Sequence, residues 1–345
     1  MKLSIVVPFY NAESHIERCL HSLVNQNINK NDYEIILIDD GSTDSGIKIV
    51  ESFKEDHKNI FIYSQDNIGL GATRNRGIML AKGEFIYFID ADDYLVFNVL
   101  DIILKQAETL NLEVLGFNTM PTERIDLFTS KTEGKTYNPD ILKGADFLVK
   151  NKYHRLEAWW YIIKREYLLK SGCKFEEGKF MEDAIFTFNI FLGANRTMFL
   201  PIDAHRYVKT NESIMNNNND EHLLKVIEDY ISLVFRFDSL ANEITKNEVL
   251  NASEIVKSIK YKSTVSIYFM FFKIIKSKIS IREINSILTR LKRINIYPLK
   301  GFIGDQYFHK KFKISAFIFN HKYIFYIFLY PLRLLYKYKL INLNL

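Results

Sequence analysis

Between residues 3 and 89 the chain alternates short β-branched runs with longer amphipathic stretches, and this alternation limits its fold more than any other feature. Strand-sized apolar runs separated by helix-sized periods mark βαβ units around a mostly parallel sheet. Residues 3–9, 34–38, 60–63 and 84–89 read as strands, with 114–117 a fifth. Helices fill the gaps: residues 15–24 place Ile16, Cys19, Leu20 and Leu23 on one side, and residues 99–110 repeat the pattern. The spacing also predicts helices over 144–151, 157–169 and 182–191 and a strand near 198–201. Beyond the polar break at 216–219 the period is helical almost throughout. Leu223, Leu224, Ile227, Tyr230, Ile231 and Val234 form one stripe, and Ile281, Ile284, Ile287, Leu288 and Leu291 another.

The expected architecture is therefore an α/β domain over residues 1–215 and a helical, basic region over 216–345. At 345 residues and 48% hydrophobic content there is material for a large core, which excludes a disordered chain. The 46 basic and 41 acidic residues are unevenly placed: no Asp or Glu follows Asp305, so the positive excess sits in the tail. Cys19 and Cys173 are too few for a disulfide framework and too far apart for a metal knuckle, which predicts reduced thiols. The first apolar run is too short for a signal peptide, so a cytoplasmic location is expected.

Ligands of open α/β sheets bind outside the carboxyl ends of the strands. Here those ends read Pro8-Phe9-Tyr10-Asn11, Asp39-Asp40-Gly41-Ser42 and Asp90-Ala91-Asp92-Asp93. Crowded carboxylates repel unless a cation or hydrogen-bond donors offset them, so a hard divalent metal suits the site. A dinucleotide dehydrogenase would need glycines where Asn11, Ala12 and Glu13 stand, and Gly69-Leu70-Gly71 is followed by Arg74 at the third glycine position. A P-loop is absent too. A phospho-receiver domain would leave the long second half unexplained, and a nucleotidyltransferase would show a glycine-rich phosphate loop after its first strand.

The order of these motifs resembles the family 2 glycosyltransferases with the GT-A fold. The resemblance rests on Val6 to Glu13, Ile38 to Asp44, Asn67-Ile68-Gly69 with Ala72-Thr73-Arg74-Asn75, and Phe88 to Asp93. Glu157-Ala158-Trp159-Trp160 and Phe180-Met181-Glu182-Asp183 extend it to about residue 215. It implies a Rossmann-like sheet flanked by helices, with the nucleotide sugar held by residues 1–117 and the acceptor by 118–215. It further implies an inverting hexosyl- or N-acetylhexosaminyltransferase of bacterial surface polysaccharide synthesis, taking a nucleoside diphosphate sugar, most simply UDP-linked, and a glycan or lipid-linked glycan acceptor.

Residue by residue, the resemblance puts donor binding on Pro8, Tyr10, Glu13, Asp40, Arg74, Asp90, Ala91 and Asp92. Asp92 would ligate Mg²⁺ or Mn²⁺, and Asp183 would be the general base. Plainer readings stand beside these: Asx turns and helix caps for Asp39 to Asp44 and Asp93, a salt bridge for Arg74, first-turn charge for Glu182-Asp183, and core packing for Trp159 or Trp160. A noncatalytic sugar-nucleotide or polysaccharide binding module on the same fold is the rival function. No nucleic-acid partner is expected. In residues 306–345 lysines are interleaved with aromatics, a pattern that fits an anionic membrane surface on the inner face of the cell membrane and equally fits a helix packed on the catalytic domain.

Overall fold

A computed structural model describes residues 1–210, 217–300, 310–341 and 343. The expected boundary at 215/216 and residues 306–309 of the tail lie outside them. The chain divides into two compact units, Met1–Thr210 and Asn211–Leu345.

In the first unit the elements run β1 (Leu3–Phe9), α1 (Ile16–Val24), β2 (Tyr33–Asp39), α2 (Gly46–Asp56), β3 (Ile60–Ser64), α3 (Leu70–Leu80), β4 (Phe85–Phe88), β5 (Tyr94–Leu95) and α4 (Leu100–Thr109). They continue with β6 (Val114–Thr122), α5 (Gly144–Lys150), β7 (Tyr161–Lys164), α6 (Arg165–Ser171), α7 (Asp183–Gly193) and β8 (Thr197–Val208). The strands form one mixed sheet in the order β3-β2-β1-β4-β7-β6-β8-β5. β1, β2, β3 and β4 pair in parallel, as do β6 and β8, while β7 runs antiparallel to both its neighbours and β5 antiparallel to β8. All seven residues of β1 and of β2 are buried, as strands covered on both faces require. Their parallel register puts Phe9 opposite Asp39, so both chains leave the sheet at one edge.

One sequence reading fails here. Residues 157–169 do not form a single helix: Tyr161–Lys164 is β7, wedged between β4 and β6, and the helix begins only at Arg165. Tyr161, Ile162 and Ile163 are aromatic and β-branched, and pairing on both edges outweighs their helical spacing. The weak strand near 198–201 is instead the twelve-residue β8.

The second unit is helical. α8 (Asp220–Lys246) starts where the Asn219 side chain accepts from the Glu221 N–H at 2.9 Å. It packs along α9 (Ala252–Lys276) and buries Leu223, Ile227, Tyr230, Ile231 and Val234, while Leu224 is exposed. α10 (Ile281–Arg293) opens on a Ser280/Glu283 capping box and buries Ile284, Ile287, Leu288 and Leu291. α11 (Lys310–Asn320) and α12 (Lys322–Lys337) follow, and Pro331 lies inside α12. No helix among the described residues is long and apolar enough to cross a membrane.

Candidate active site

The acidic strand ends meet at one edge, each held by short-range chemistry. Pro8 is buried at the end of β1, two residues past its last partner on β4, where a missing N–H costs no sheet bond on that side. Tyr10 beyond it is half exposed. Asn11 takes a left-handed conformation that asparagine tolerates, donates its N–H to Ser42 Oγ and accepts the Thr43 N–H. Glu13 accepts the Ser45 N–H at 2.8 Å, just ahead of α2, so its carboxylate closes the β1 loop onto the β2 loop. Asp39 makes an Asx turn with the Ser42 N–H, and Asp44 accepts from Gly46 and Glu13, as the plainer reading of this motif requires.

Asp40 is buried, and its carboxylate organises the 65–69 loop. Oδ1 accepts from Gln65 Nε2 and the Ile68 N–H, and Oδ2 from the Gly69 N–H. A carboxylate offers about four acceptor positions, so one on Oδ2 remains for a ligand. Gly69 sits at φ +89°, and a Cβ on Gly71 would lie 2.3 Å from the Glu176 carbonyl oxygen; only glycine suits either position.

Asp90 to Asp93 form a tight turn, with the Asp93 N–H donating to the Asp90 carbonyl at 3.1 Å. This turn, and not alternation along an extended strand, gathers the carboxylates. Ligand oxygens of Asp90, Asp92 and Asp93 lie within 4.8 Å of one another. Burial, then the charges of Asp93 and Asp90, push the Asp92 carboxyl up to about 8. Asp93 is no helix cap: it is fully buried, and its Oδ1 accepts the Val208 N–H at 2.8 Å. Oδ2 has no hydrogen-bond partner among the described residues and lies 3.3 Å from Nε2 of buried His205, whose ring nitrogens also lack partners. Burial pushes His205 down to about 3, which leaves a neutral imidazole. Hard oxygens, an orphaned buried carboxylate oxygen and a neutral imidazole fit a divalent cation. Ala91 is a buried spacer in the turn.

Arg74, in the second turn of α3, joins this cluster to the other side of the site. The side chain is 2% exposed, so the surface salt-bridge reading does not apply. Nη2 donates to Asp90 Oδ1 at 2.5 Å, Nη1 pairs with Glu182, and Asp183 Oδ2 lies 3.9 Å from Nη1. Burial alone would lower the guanidinium, but Asp90, Glu182 and Asp183 more than offset this and hold it charged. Met181, at φ +58°, turns the chain so that Glu182 faces Arg74 while Asp183 opens α7. Burial, then the Glu182 charge, raise Asp183 well above the ordinary carboxylate range.

Both tryptophans are buried at 3% exposure. Trp160 stacks on Phe191 with ring centres 4.9 Å apart, and Trp159 stacks on His205 at 4.8 Å with Arg155 over its ring. Cys19 is a buried structural thiol raised by burial, its Sγ 3.8 Å from the Asp90 carbonyl. Gly134-Lys135-Thr136 lies at a turn, with Thr129 where a P-loop has its first glycine. The sequence reading of Asp93 as a cap missed its buried place beside His205; a third carboxylate within Asp90 to Asp93 was the available signal.

Residues 4–170 match the family described as glycosyl transferase family 2. The chain is 30% identical over 239 residues to the uncharacterized glycosyltransferase EpsJ of Bacillus subtilis, covering 65% of this chain and 67% of that protein. It is 34% identical over 210 residues to the poly(ribitol-phosphate) beta-glucosyltransferase of Bacillus spizizenii, covering 57% of this chain and 30% of that one. The solved structure of Staphylococcus aureus TarS 1-349 in complex with UDP-GlcNAc superposes with a TM-score of 0.62 at 21% identity, over 85% of this chain and 80% of that one, a likeness of fold.

Proposed function

We propose a donor, an acceptor side and a catalytic base for this chain, which belongs to glycosyl transferase family 2 and is a glycosyltransferase. It moves a hexosyl or N-acetylhexosaminyl group from a UDP-sugar to a glycan or lipid-linked glycan hydroxyl in surface-polysaccharide synthesis. The names of its relatives, which act on poly(ribitol-phosphate), and the UDP-GlcNAc bound by the TarS fold support this substrate class. Residues 1–117 carry the donor side and 118–215 the acceptor side.

The observation that carries the reading is the arrangement around Arg74: one buried guanidinium links the Asp90 end of the aspartate cluster to Asp183 at the head of α7. Asp40 offers its remaining Oδ2 position to the uracil imide N–H, with Pro8 and half-exposed Tyr10 beside the base. Glu13 shapes that loop. Asp92 would hold a divalent cation, Mg²⁺ or Mn²⁺, with Asp93 in reach, and the cation would supply charge neutralisation to the diphosphate. Asp90 and Ala91 shape the donor wall. Arg74 is a positioning residue, since Glu182 and Asp90 take its Nη1 and Nη2.

On the acceptor side, Asp183 removes the hydroxyl proton as that oxygen bonds to the anomeric carbon. Attack comes from the face opposite the leaving group, so the bond from that carbon to the diphosphate oxygen breaks, its electron pair leaves with UDP, and the configuration inverts. Burial raises Asp183 and makes it a stronger base than a solvated carboxylate. The test is a thermal-shift panel of UDP-, GDP- and dTDP-sugars with and without Mn²⁺, followed by UDP release with glycan acceptors. Stabilisation by UDP-sugars that depends on Mn²⁺ is expected. Equal response to all nucleotides, or none, sinks the donor assignment.

A further inference from the structure

The second unit carries an exposed apolar face on its last two helices. On α12, Tyr323, Ile327, Tyr330, Leu334 and Tyr338 at its end are 45–78% exposed. Their spacing of three and four residues lines them along one side of the helix. The opposite side is anchored, because Phe325 and Leu329 are buried and the Phe325 ring meets Phe271 at 5.1 Å and Phe319 at 5.7 Å. The outward direction of the stripe is thus fixed by packing. α11 repeats the arrangement: Ala316 and Phe319 point inward, while Ile314 and Phe317 are more than half exposed beside exposed Lys310, Lys311 and Lys313. Lys337 and Lys339 continue the positive charge at the far end, and no Asp or Glu follows Asp305.

We infer that the outer face of α11 and α12 docks on an anionic lipid bilayer. The charge selects this occupant: a row of tyrosines and aliphatics framed by lysines, with no acidic side chain after Asp305, is complementary to a negative headgroup layer, and two such cationic faces would repel each other across a dimer. Tyrosine suits the headgroup boundary, with its ring in the apolar layer and its hydroxyl in water. Neither helix is long and apolar enough to span a bilayer, so the pair lies in the plane of the surface.

Vesicle flotation with the full-length protein tests this at low and high salt, using phosphatidylcholine vesicles with and without phosphatidylglycerol. Flotation only with phosphatidylglycerol, weakened by salt, is expected. Each lysine near an anionic surface is worth about fivefold in partitioning, so the K310S/K311S/K313S variant should lose about two orders of magnitude. The I327S/Y330S variant, altered only at exposed positions, should lose about tenfold with an unchanged thermal transition. Absence of flotation with either lipid, equal flotation with both, or unaltered partitioning of both variants overturns the inference. So does sedimentation velocity showing a dimer that I327S/Y330S dissociates in a protein that ignores vesicles, since the stripe then serves a second copy of the chain.

Discussion

Replacing Arg74 by methionine removes the cation that bridges Asp90, Glu182 and Asp183 while keeping most of the side-chain volume. Arg74 is 2% exposed, and its partners Glu182 and Asp183 are 7% and 13% exposed at the side chain. Removing one partner of a buried ion pair typically costs about 3–5 kcal/mol, because the remaining charge is left uncompensated. Loss of the guanidinium over the Phe175 ring, 5.4 Å away, adds a smaller amount. We therefore expect Arg74→Met to lower unfolding stability by about 3–5 kcal/mol at neutral pH. Urea unfolding followed by tryptophan fluorescence reads this well, since both tryptophans lie in the first unit. The deficit should depend on pH. Asp183 and Glu182 already titrate above their ordinary values, burial being the first cause for each, and without Arg74 both rise further. A raised folded-state carboxylate destabilises fully above its folded pKa and not at all below the unfolded value, so the deficit shrinks as pH falls from neutral toward that range. A loss under about 1 kcal/mol, or one independent of pH, would refute the reasoning.

Asp92→Ala should abolish the Mn²⁺-dependent thermal shift by UDP-sugars and leave the metal-free unfolding transition in place; an unchanged Mn²⁺ response removes Asp92 from the metal site. Asp183→Asn should lower kcat by about 10²–10⁴-fold with little change in donor affinity. In the parent, kcat/KM should fall at acid pH with a midpoint above the ordinary carboxylate range, because the base must be unprotonated and its folded pKa is raised; a limb that survives in the variant belongs to another group. Gly144→Ala would put a Cβ 1.7 Å from the Phe191 carbonyl oxygen, so a loss of about 1–3 kcal/mol in urea is expected, and parent-like stability would show that α5 moves freely.

What the sequence made legible follows from locality. The strands at 3–9 and 34–38 were visible because both their faces are buried and nearly all their residues are apolar; 60–63, where only Ile60 is buried, was visible from its β-branched and aromatic residues. The motifs at Asp39-Asp40 and Asp90 to Asp92 announced themselves because each sits within four residues of a strand end. Two things stayed hidden for one reason. Tyr161 to Lys164 has helical spacing, and only the neighbouring edges of β4 and β6 make it a strand. Asp93 looked like a cap because its partners, Val208 and His205, arrive on a strand more than a hundred residues away, and no local pattern encodes that meeting. The proposed lipid face was half legible: its lysines and aromatics could be read off, but which aromatics point outward depends on Phe325 and Leu329 turning inward.

The long reach of that same contact also sets a schedule for biosynthesis. Asp93 and its backbone donor Val208 are separated by 115 residues, so at about 5–20 residues per second the donor leaves the ribosome roughly 6–23 s after the acceptor. Until then β6 lacks its parallel neighbour β8, and β5 lacks its antiparallel one. A nascent chain paused inside α7 therefore exposes an open strand edge at β6 and an aspartate turn with nothing to close it. Codon choice or chaperone engagement over that stretch would govern how much of the synthesised chain reaches a competent site.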